Sequence, residues 1–484
     1  MAIDHDVLLL NKRRTKIIAT LGPSSGDEET IGRLIEAGAD VFRLNMSHGD
    51  HAAHRRMYEH VRRAAETAGR SIPVVADLAG PKIRVGDFEQ GAIELVPGAA
   101  VTVTTRDVPG RADLIPSQYE ALPGDVSPGD PILLADGVLE LEVRRVEKTE
   151  VRCRVVRGGV LQTRKGINLP QSALSAPCLT DKDRDDARFA LELGVDFLGQ
   201  SFVRQGSDCE TLRELVARSG HDVDIIAKIE RPEALAEVDA ILEAADGIMV
   251  ARGDLGVELP PEKVPTVQRQ LIDRARRHNK PVIVATQILE SMIEHTRPTR
   301  AEVSDVSNAV MSGADALMLS GESAAGAYPV LSVEMMDRIA RQAEGYLWED
   351  SSFECFHREP SAEPPIPFGD AVAHCTATLS RDLQVRAIVA VSPSGMSATT
   401  MSAARPAAPV VCVSSCEATC RRTALLWGSI PWHAHDAEFV DAVSLSRSIA
   451  RWLGLAKQGE YILLVQGFSA DPLRNTPTIT LLTI

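Results

Sequence analysis

Arg43, Asn45 and Ser47 occupy alternate positions in DVFRLNMS (40–47). Side chains of a strand alternate between faces, so these three share one face and Phe42, Leu44 and Met46 share the other. Lys228 and Glu230 stand in the same relation in DIIAKIE (224–230), with Ile226 beside them and Ile225, Ala227 and Ile229 opposite. GIMVARGDL (247–255) places Arg252 and Asp254 on one face at its end, PVVADLAG (73–80) contributes Asp77, and PVIVATQIL (281–289) contributes Thr286. Glu230 and Asp254 on adjacent strands form a carboxylate pair that a hard divalent cation would satisfy. Mg2+ commonly takes one or two carboxylates plus substrate oxygens, and Mn2+ is the alternative. Arg43, Lys228, the metal and either Lys82 or Arg84 together imply an anionic substrate, most simply a phosphate. Cations fixed around a transferring phosphoryl group catalyse by alignment and electrostatics. Neither GxxxxGK[ST] nor GxGxxG after a strand is present, so no P-loop or Rossmann fingerprint holds a nucleotide. A buried Lys-x-Glu alone reads equally well as an internal salt bridge. Polar groups delivered by several independent strands to one rim favour an active site.

The elements that position these residues alternate. KIIATLG (16–22), DVFRLNMS, PVVADLAG, DFLGQSFV (196–203), DIIAKIE, GIMVARGDL, PVIVATQIL and ALMLSGES (316–323) are eight apolar strands. Each is followed by a helical pattern, except for an interruption after the third. Strand–helix alternation implies a parallel sheet with right-handed crossovers. Eight such units predict a (β/α)8 TIM barrel over 1–84 and 177–350, with an open doubly wound sheet as the alternative. The interruption, 85–176, alternates with period two in LELEVRRV (139–146) and EVRCRVV (150–156) and is punctuated by Pro-Gly pairs. It predicts an all-β insertion, a β-barrel lid leaving from the strand end where barrel active sites lie. HREPSAEPPIPFG (357–369) marks a proline-rich linker, assigned to 351–368. AIVAVS (387–392), PVVCVS (409–414) and YILLVQ (461–466) predict a C-terminal α/β domain over 369–484.

Composition narrows the function. The 484 residues carry a net charge of −15 and only 4% aromatics. Such a chain repels a phosphodiester backbone and an anionic bilayer, so neither nucleic acid nor membrane is an expected partner. No apolar run reaches the roughly 18 residues of a membrane span. The N-terminus, acids before bases around a short apolar run, is the reverse of a signal peptide. Eight dispersed cysteines in a long chain suggest a reduced, cytoplasmic protein.

RRTKIIATLGPSS (13–25), FRLNMSHG (42–49), DLAGPKIRVG (77–86), RKGINLP (164–170), AKIE (227–230), MVARGDLGVE (249–258), VIVATQILESMIEHTRPTRAEVSDVSNAV (282–310) and LMLSGESAAGAYPV (317–330) resemble the pyruvate kinase family. The resemblance spans 13–330 in family order, and the C-terminal domain is similar in architecture. It implies transfer of the phosphoryl group of phosphoenolpyruvate to ADP, giving ATP and pyruvate in glycolysis. Arg43 would bind the phosphate, and Lys228 would stabilise the transferring phosphoryl and the enolate oxygen. Glu230 and Asp254 would hold Mg2+, with the Gly253 backbone helping to seat the substrate. Thr286 would lie where the enolate carbon is protonated. Asn45, Arg84 and the lid's Lys165 would reach the nucleotide. The family is usually a homotetramer, often controlled by a phosphorylated effector.

Three departures bear on cofactors and control. Many members bind K+ through the equivalents of Asn45, Ser47, Asp77 and the carbonyl of Leu78, and carry Glu where this chain has Lys82. An ammonium there would supply the charge of K+ and pair with Asp77, so K+ is not expected to be required. The lid reads Ala135-Asp136-Gly137 where relatives often carry two acids. In the C-terminal domain, Ser392, Ser394, Gly395 and Ser397 lie between a strand and a helix, where hydroxyls and free amides make an anion cradle. The alternative is a plain N-cap turn. The tail SADPLRNTPTI lacks the glycines common in the family's effector loop, which disfavours a sugar bisphosphate and leaves a sugar monophosphate as the candidate effector. Two other classes compete: a metal-dependent lyase or aldolase in the same barrel, and a non-enzymatic sensor of phosphoenolpyruvate or a sugar phosphate. The lyase leaves the lid with Lys165 unexplained, and a sensor would not need Lys228, Glu230 and Asp254 together.

Overall fold

The computed structural model describes residues 13–170, 172, 174–349, 366–469, 471 and 473–484. The N-terminal stretch and most of the linker expected at 351–368 lie outside the described residues.

Eight parallel strands close into a barrel: β1 (Lys16–Thr20), β2 (Val41–Asn45), β3 (Val74–Asp77), β4 (Phe197–Gln200), β5 (Asp224–Ile229), β6 (Gly247–Ala251), β7 (Val282–Ala285) and β8 (Ala316–Leu319). Each strand pairs with its neighbours in sequence, and β8 pairs back to β1 with Lys16 opposite Ala316. The alternation read from the sequence sets the layers. Phe42, Leu44, Ala76, Ile225, Ile229, Val250 and Leu317 face outward into the core shared with the surrounding helices. Ile18, Val41, Val75, Phe197, Ile226, Met249, Ile283 and Ala316 face inward and fill the lower barrel. Above that apolar layer the inward positions become polar, which is what makes the upper rim a site.

The lid leaves after β3 and returns before β4. Its strands form a six-stranded sheet and a separate two-stranded ribbon, Ala92–Leu95 with Gly159–Gln162, around one apolar core. The expected β-barrel is thus an open sheet with a ribbon, not a hydrogen-bonded ring. The period-two segments form its longest hairpin, Leu139–Val146 with Glu150–Arg157.

The C-terminal domain is a five-stranded sheet flanked by helices, in the order Ser429–His433, Val410–Ser414, Ile388–Val391, Tyr461–Gln466 and Thr478–Thr483, the last antiparallel. Its two edge strands escaped the sequence reading. One contains Pro431 and the other follows a proline-punctuated tail, and both features mark edge strands. This domain seals the lower end of the barrel. Leu425 is fully buried in the inward-facing apolar cluster. Around it, Arg405 grips Asp315 with two hydrogen bonds of 3.0 and 2.9 Å, and Arg421 donates to Asp196 at 2.7 Å. Arg422 reaches Asp222 and Asp224, and Lys16 donates to the Ser429 carbonyl. Burial, helped by Asp246, pushes the Asp224 carboxyl up to about 6 despite Arg422.

Because Leu425 completes the barrel floor, Leu425→Ala should cost about 2–5 kcal/mol. The loss should lower the urea midpoint of barrel signals together with that of the C-terminal domain. A shift confined to the C-terminal domain would reject this plug.

Candidate active site

The polar rim is built by strand ends. Arg43 on β2, Asp77 on β3 and Lys228 on β5 all point inward and are buried. Arg43 donates through Nε to Asp77 Oδ2 at 2.7 Å, and its Nη1 reaches Thr20 Oγ1 at 3.1 Å. Lys228 Nζ lies 3.2 Å from Asp77 Oδ1 and 2.9 Å from Glu230 Oε1, and donates to Ser201 Oγ at 2.7 Å. Ser201 passes the chain on to the Leu78 carbonyl at 2.7 Å. Glu230 also accepts the Phe202 amide at 3.0 Å. Arg43, Asp77, Lys228 and Glu230 therefore form one continuous buried network, as strand parity required.

The electrostatics follow from this packing. Burial disfavours the Lys228 ammonium, but Asp77 and Glu230 outweigh it and raise its pKa. Burial favours the neutral Asp77 carboxyl, yet Lys228 and Arg43 hold its pKa below the usual carboxylate range. Glu230 goes the other way: burial raises it, Lys228 opposes, and the nearby Asp254 charge raises it further. That neighbouring pair is the donor set a divalent cation would relieve. No group of three or more His, Cys, Asp or Glu gathers into a metal cage among the described residues. The residues fit a cation held by two carboxylates and completed by substrate oxygens, the usual habit of Mg2+.

Several expected placements need correction. β6 ends at Ala251, and Arg252–Glu258 is a helix. Arg252 and Asp254 therefore do not share a strand face. Arg252 turns away, donating to the Thr286 and Gln287 carbonyls and pairing with Asp305. Thr286 follows β7 with φ +66° and accepts the Gly253 amide at 2.7 Å, so that amide is engaged within the protein. Lys82 is exposed, and no ion pair joins it to Asp77 among the described residues; Arg43 and Lys228 take that carboxylate instead. The Gly-Pro turn before Lys82 carries it outward, onto the rim. Partial burial, and then the charges of Lys82, Arg84 and Arg43, depress the His48 pKa.

Asn45 Oδ1 accepts the Ser47 amide at 3.2 Å, and the Leu78 carbonyl is taken by Ser201. Arg84 Nη1 donates to the Arg164 carbonyl, and a bridge between Arg84 and Gly166 sets it beside exposed Lys165 where the lid departs and returns. In the distant C-terminal loop only Ser394 of the three serines is exposed. Ser397 donates to the Val391 carbonyl, and Ser392 Oγ accepts the Ala398 amide.

Thr20 and Ser201 were missed by the sequence reading. Parity carried through DFLGQSFV would have put Ser201 inward with Phe197 and Gly199. Gly199 has its own reason to be there: it pairs with Asp77 across the strands, and a Cβ on it would lie 2.9 Å from Asp77 Oδ1.

Comparison with known proteins agrees with this architecture. The family model for the pyruvate kinase barrel domain matches residues 12–333, and that for the pyruvate kinase alpha/beta domain matches 370–481. The chain is 43% identical over 460 residues to pyruvate kinase of Geobacillus stearothermophilus, covering 94% of this chain and 78% of that protein. It is 42% identical over 459 residues to pyruvate kinase of Mycobacterium intracellulare, covering 94% and 95%. A crystal structure of a pyruvate kinase from Cryptosporidium parvum superposes with a TM-score of 0.91 at 34% identity, over 99% of this chain and 98% of that one.

Two outcomes test the network. Gly199→Ala should displace the Asp77 carboxylate and lower kcat/KM by about 10²-fold with the fold retained; unchanged kcat/KM would show that Asp77 is not held by that packing. A lysine raised by its partners keeps its proton to higher pH. The pH–rate profile should therefore show no alkaline limb from Lys228 below about pH 10. Asp77→Asn, by removing the largest raising influence, should bring that limb down.

Proposed function

The chain belongs to the pyruvate kinase family and is a phosphotransferase; on that premise we propose that it transfers the phosphoryl group of phosphoenolpyruvate to ADP, with Mg2+ at Glu230 and Asp254 and without a need for K+. The observation that carries the reading is the network Arg43–Asp77–Lys228–Glu230 with Asp254 beside it. Bound there, the divalent cation supplies charge neutralisation and a template for phosphoryl oxygens. Arg43 and Lys228 hold the anionic substrate by its phosphate, and Lys228 offsets charge at the enolate oxygen as the phosphoryl departs. These groups are fixed before the reaction by Asp77, so little reorganisation is needed. Thr286, at the end of β7, borders the space where the enolate carbon takes a proton. Asn45, Arg84 and Lys165 border the opening between barrel and lid and give the nucleotide its positive surroundings. Closure of the lid over them would exclude water from the transfer.

Asp77 is neutralised by Arg43 and Lys228, and Lys82 adds its charge to the rim instead of pairing with Asp77. A monovalent cation therefore has less to contribute. A homotetramer in the cytoplasm, working in glycolysis, is the family setting carried over here. No helix of the described residues is long and apolar enough to cross a membrane. Control by a sugar monophosphate would act at the Ser392–Ser397 loop, through the exposed Ser394, with Ser392 and Ser397 turned inward to brace the turn.

With Mg2+ and tetramethylammonium as the sole monovalent cation, pyruvate formation from phosphoenolpyruvate and ADP should proceed at full rate. Lys82→Glu should make the rate depend on added K+. Activity of the unaltered chain only with K+ would discard the Lys82 argument and keep the function. No turnover under either condition, with sugar phosphates supplied, would reject the function.

A further inference from the structure

The two carboxylates at the cation site sit on separate segments, Glu230 just after β5 and Asp254 on the helix Arg252–Glu258, and like charges so placed repel. What fixes their separation is a charged residue farther along each segment. Arg231 follows Glu230 directly, and Glu258 lies four residues after Asp254 on the same short helix, hence on the same face. Both side chains are only 2% exposed, and Arg231 Nη1 lies 3.2 Å from Glu258 Oε2. The pair is a strut between the loop bearing Glu230 and the helix bearing Asp254.

The lid holds both ends of that strut. Asn168 Nδ2 donates to Glu258 Oε1 at 3.1 Å, and Arg231 Nη2 donates to the Ser172 carbonyl at 3.1 Å. The far tip of the lid rests on the same helix, where a Cβ on Gly137 would lie 3.5 Å from Val257 Cγ1. Asn168 is three residues beyond Lys165, the lid cation facing the nucleotide opening. A movement of the lid that carries Lys165 inward must therefore pull on Arg231 and Glu258. A buried ion pair is a poor device for stability, since an apolar pair of like volume is often as good. Its use here is better explained by the groups it connects.

We propose that Arg231 and Glu258 are positioning residues that couple lid closure to divalent-cation binding at Glu230 and Asp254; this deepens the phosphotransfer reading and rests on it. Coupling between two sites is reciprocal, so the cation should steady the lid as much as the closed lid strengthens the cation site.

The test uses the full chain without substrates. Mn2+ binding is titrated by electron paramagnetic resonance, and hydrogen exchange is followed in peptides covering 165–170 with and without Mn2+. Outer groups that orient metal ligands typically change affinity by about 10–100-fold. Glu258→Gln, which keeps an acceptor for Asn168 but loses the charge, should raise the Mn2+ Kd by about tenfold. Asn168→Ala removes the lid contact and leaves the ion pair in place, so it should raise the Kd by less, about threefold. In the unaltered protein Mn2+ should slow exchange at 165–170, and in both variants that protection should be lost. If Glu258→Gln does not fold, Asn168→Ala decides the matter alone. An unchanged Kd in Asn168→Ala, or no effect of Mn2+ on exchange in the unaltered protein, overturns the coupling and leaves a hinge of purely structural role. Failure of the unaltered protein to bind Mn2+ rejects the cation site itself, and the coupling with it.

Discussion

Two cations and three carboxylates gather at the upper end of one barrel, and the requirement that buried charges be paired governs the rest of the site. Arg43, Asp77, Lys228 and Glu230 are each too buried to be solvated by water, so each is stabilised by the next. This requirement explains details that look incidental in isolation. Gly199 is small because Asp77 needs the space beside it. Thr20 and Ser201 are hydroxyls because Arg43 and Lys228 have donors left over after meeting Asp77 and Glu230. Below this layer the inward positions are apolar, and the protein fills them from outside the barrel with Leu425.

Much of this was legible because the information is local. A strand has a period of two, so Arg43, Lys228 and their apolar neighbours could be assigned to faces without knowing where the strand lay in space. The count of strand–helix units, and the position of the insertion after the third, followed from the same alternation. The readings that failed did so where that period stops. Residues 252–258 turn helical at the strand end, so parity no longer places Arg252 and Asp254 on one face. Thr286 sits at φ +66°, outside any strand. Lys82 follows a Gly-Pro turn whose direction nothing in the sequence specifies, and it points to the rim instead of to Asp77. Long-range pairings such as Arg405 with Asp315, or Leu425 with the barrel floor, carry no local signature.

The barrel is treated differently at its two ends. The lower end is closed by an apolar plug and a ring of ion pairs from Arg405, Arg421 and Arg422 to carboxylates at the starts of strands. The upper end carries the polar rim and is covered by a domain inserted in the β3–β4 connection. A braced floor and a separately folded roof would suit a reaction that needs fixed groups and intermittent exclusion of water. They also separate roles in the sequence: the third domain braces the starts of the strands, and the lid carries Lys165 and touches the Glu230 and Asp254 segments through Ser172 and Asn168.

The charge balance at the rim also constrains the order of events. Arg43 and Lys228 against Asp77, Glu230 and Asp254 leave the described cluster with an excess of one negative charge. An approaching phosphate ester meets Arg43 and Lys228 only across carboxylates that already occupy them. Glu230 and Asp254 would hold a divalent cation, whose charge would reverse the sign of the cluster and draw Glu230 from Lys228. Lys228 would then be free to turn toward an anionic substrate, with Asp77 still beside it. Glu230 is the switch point because it is the one carboxylate that touches Lys228 and lies beside Asp254.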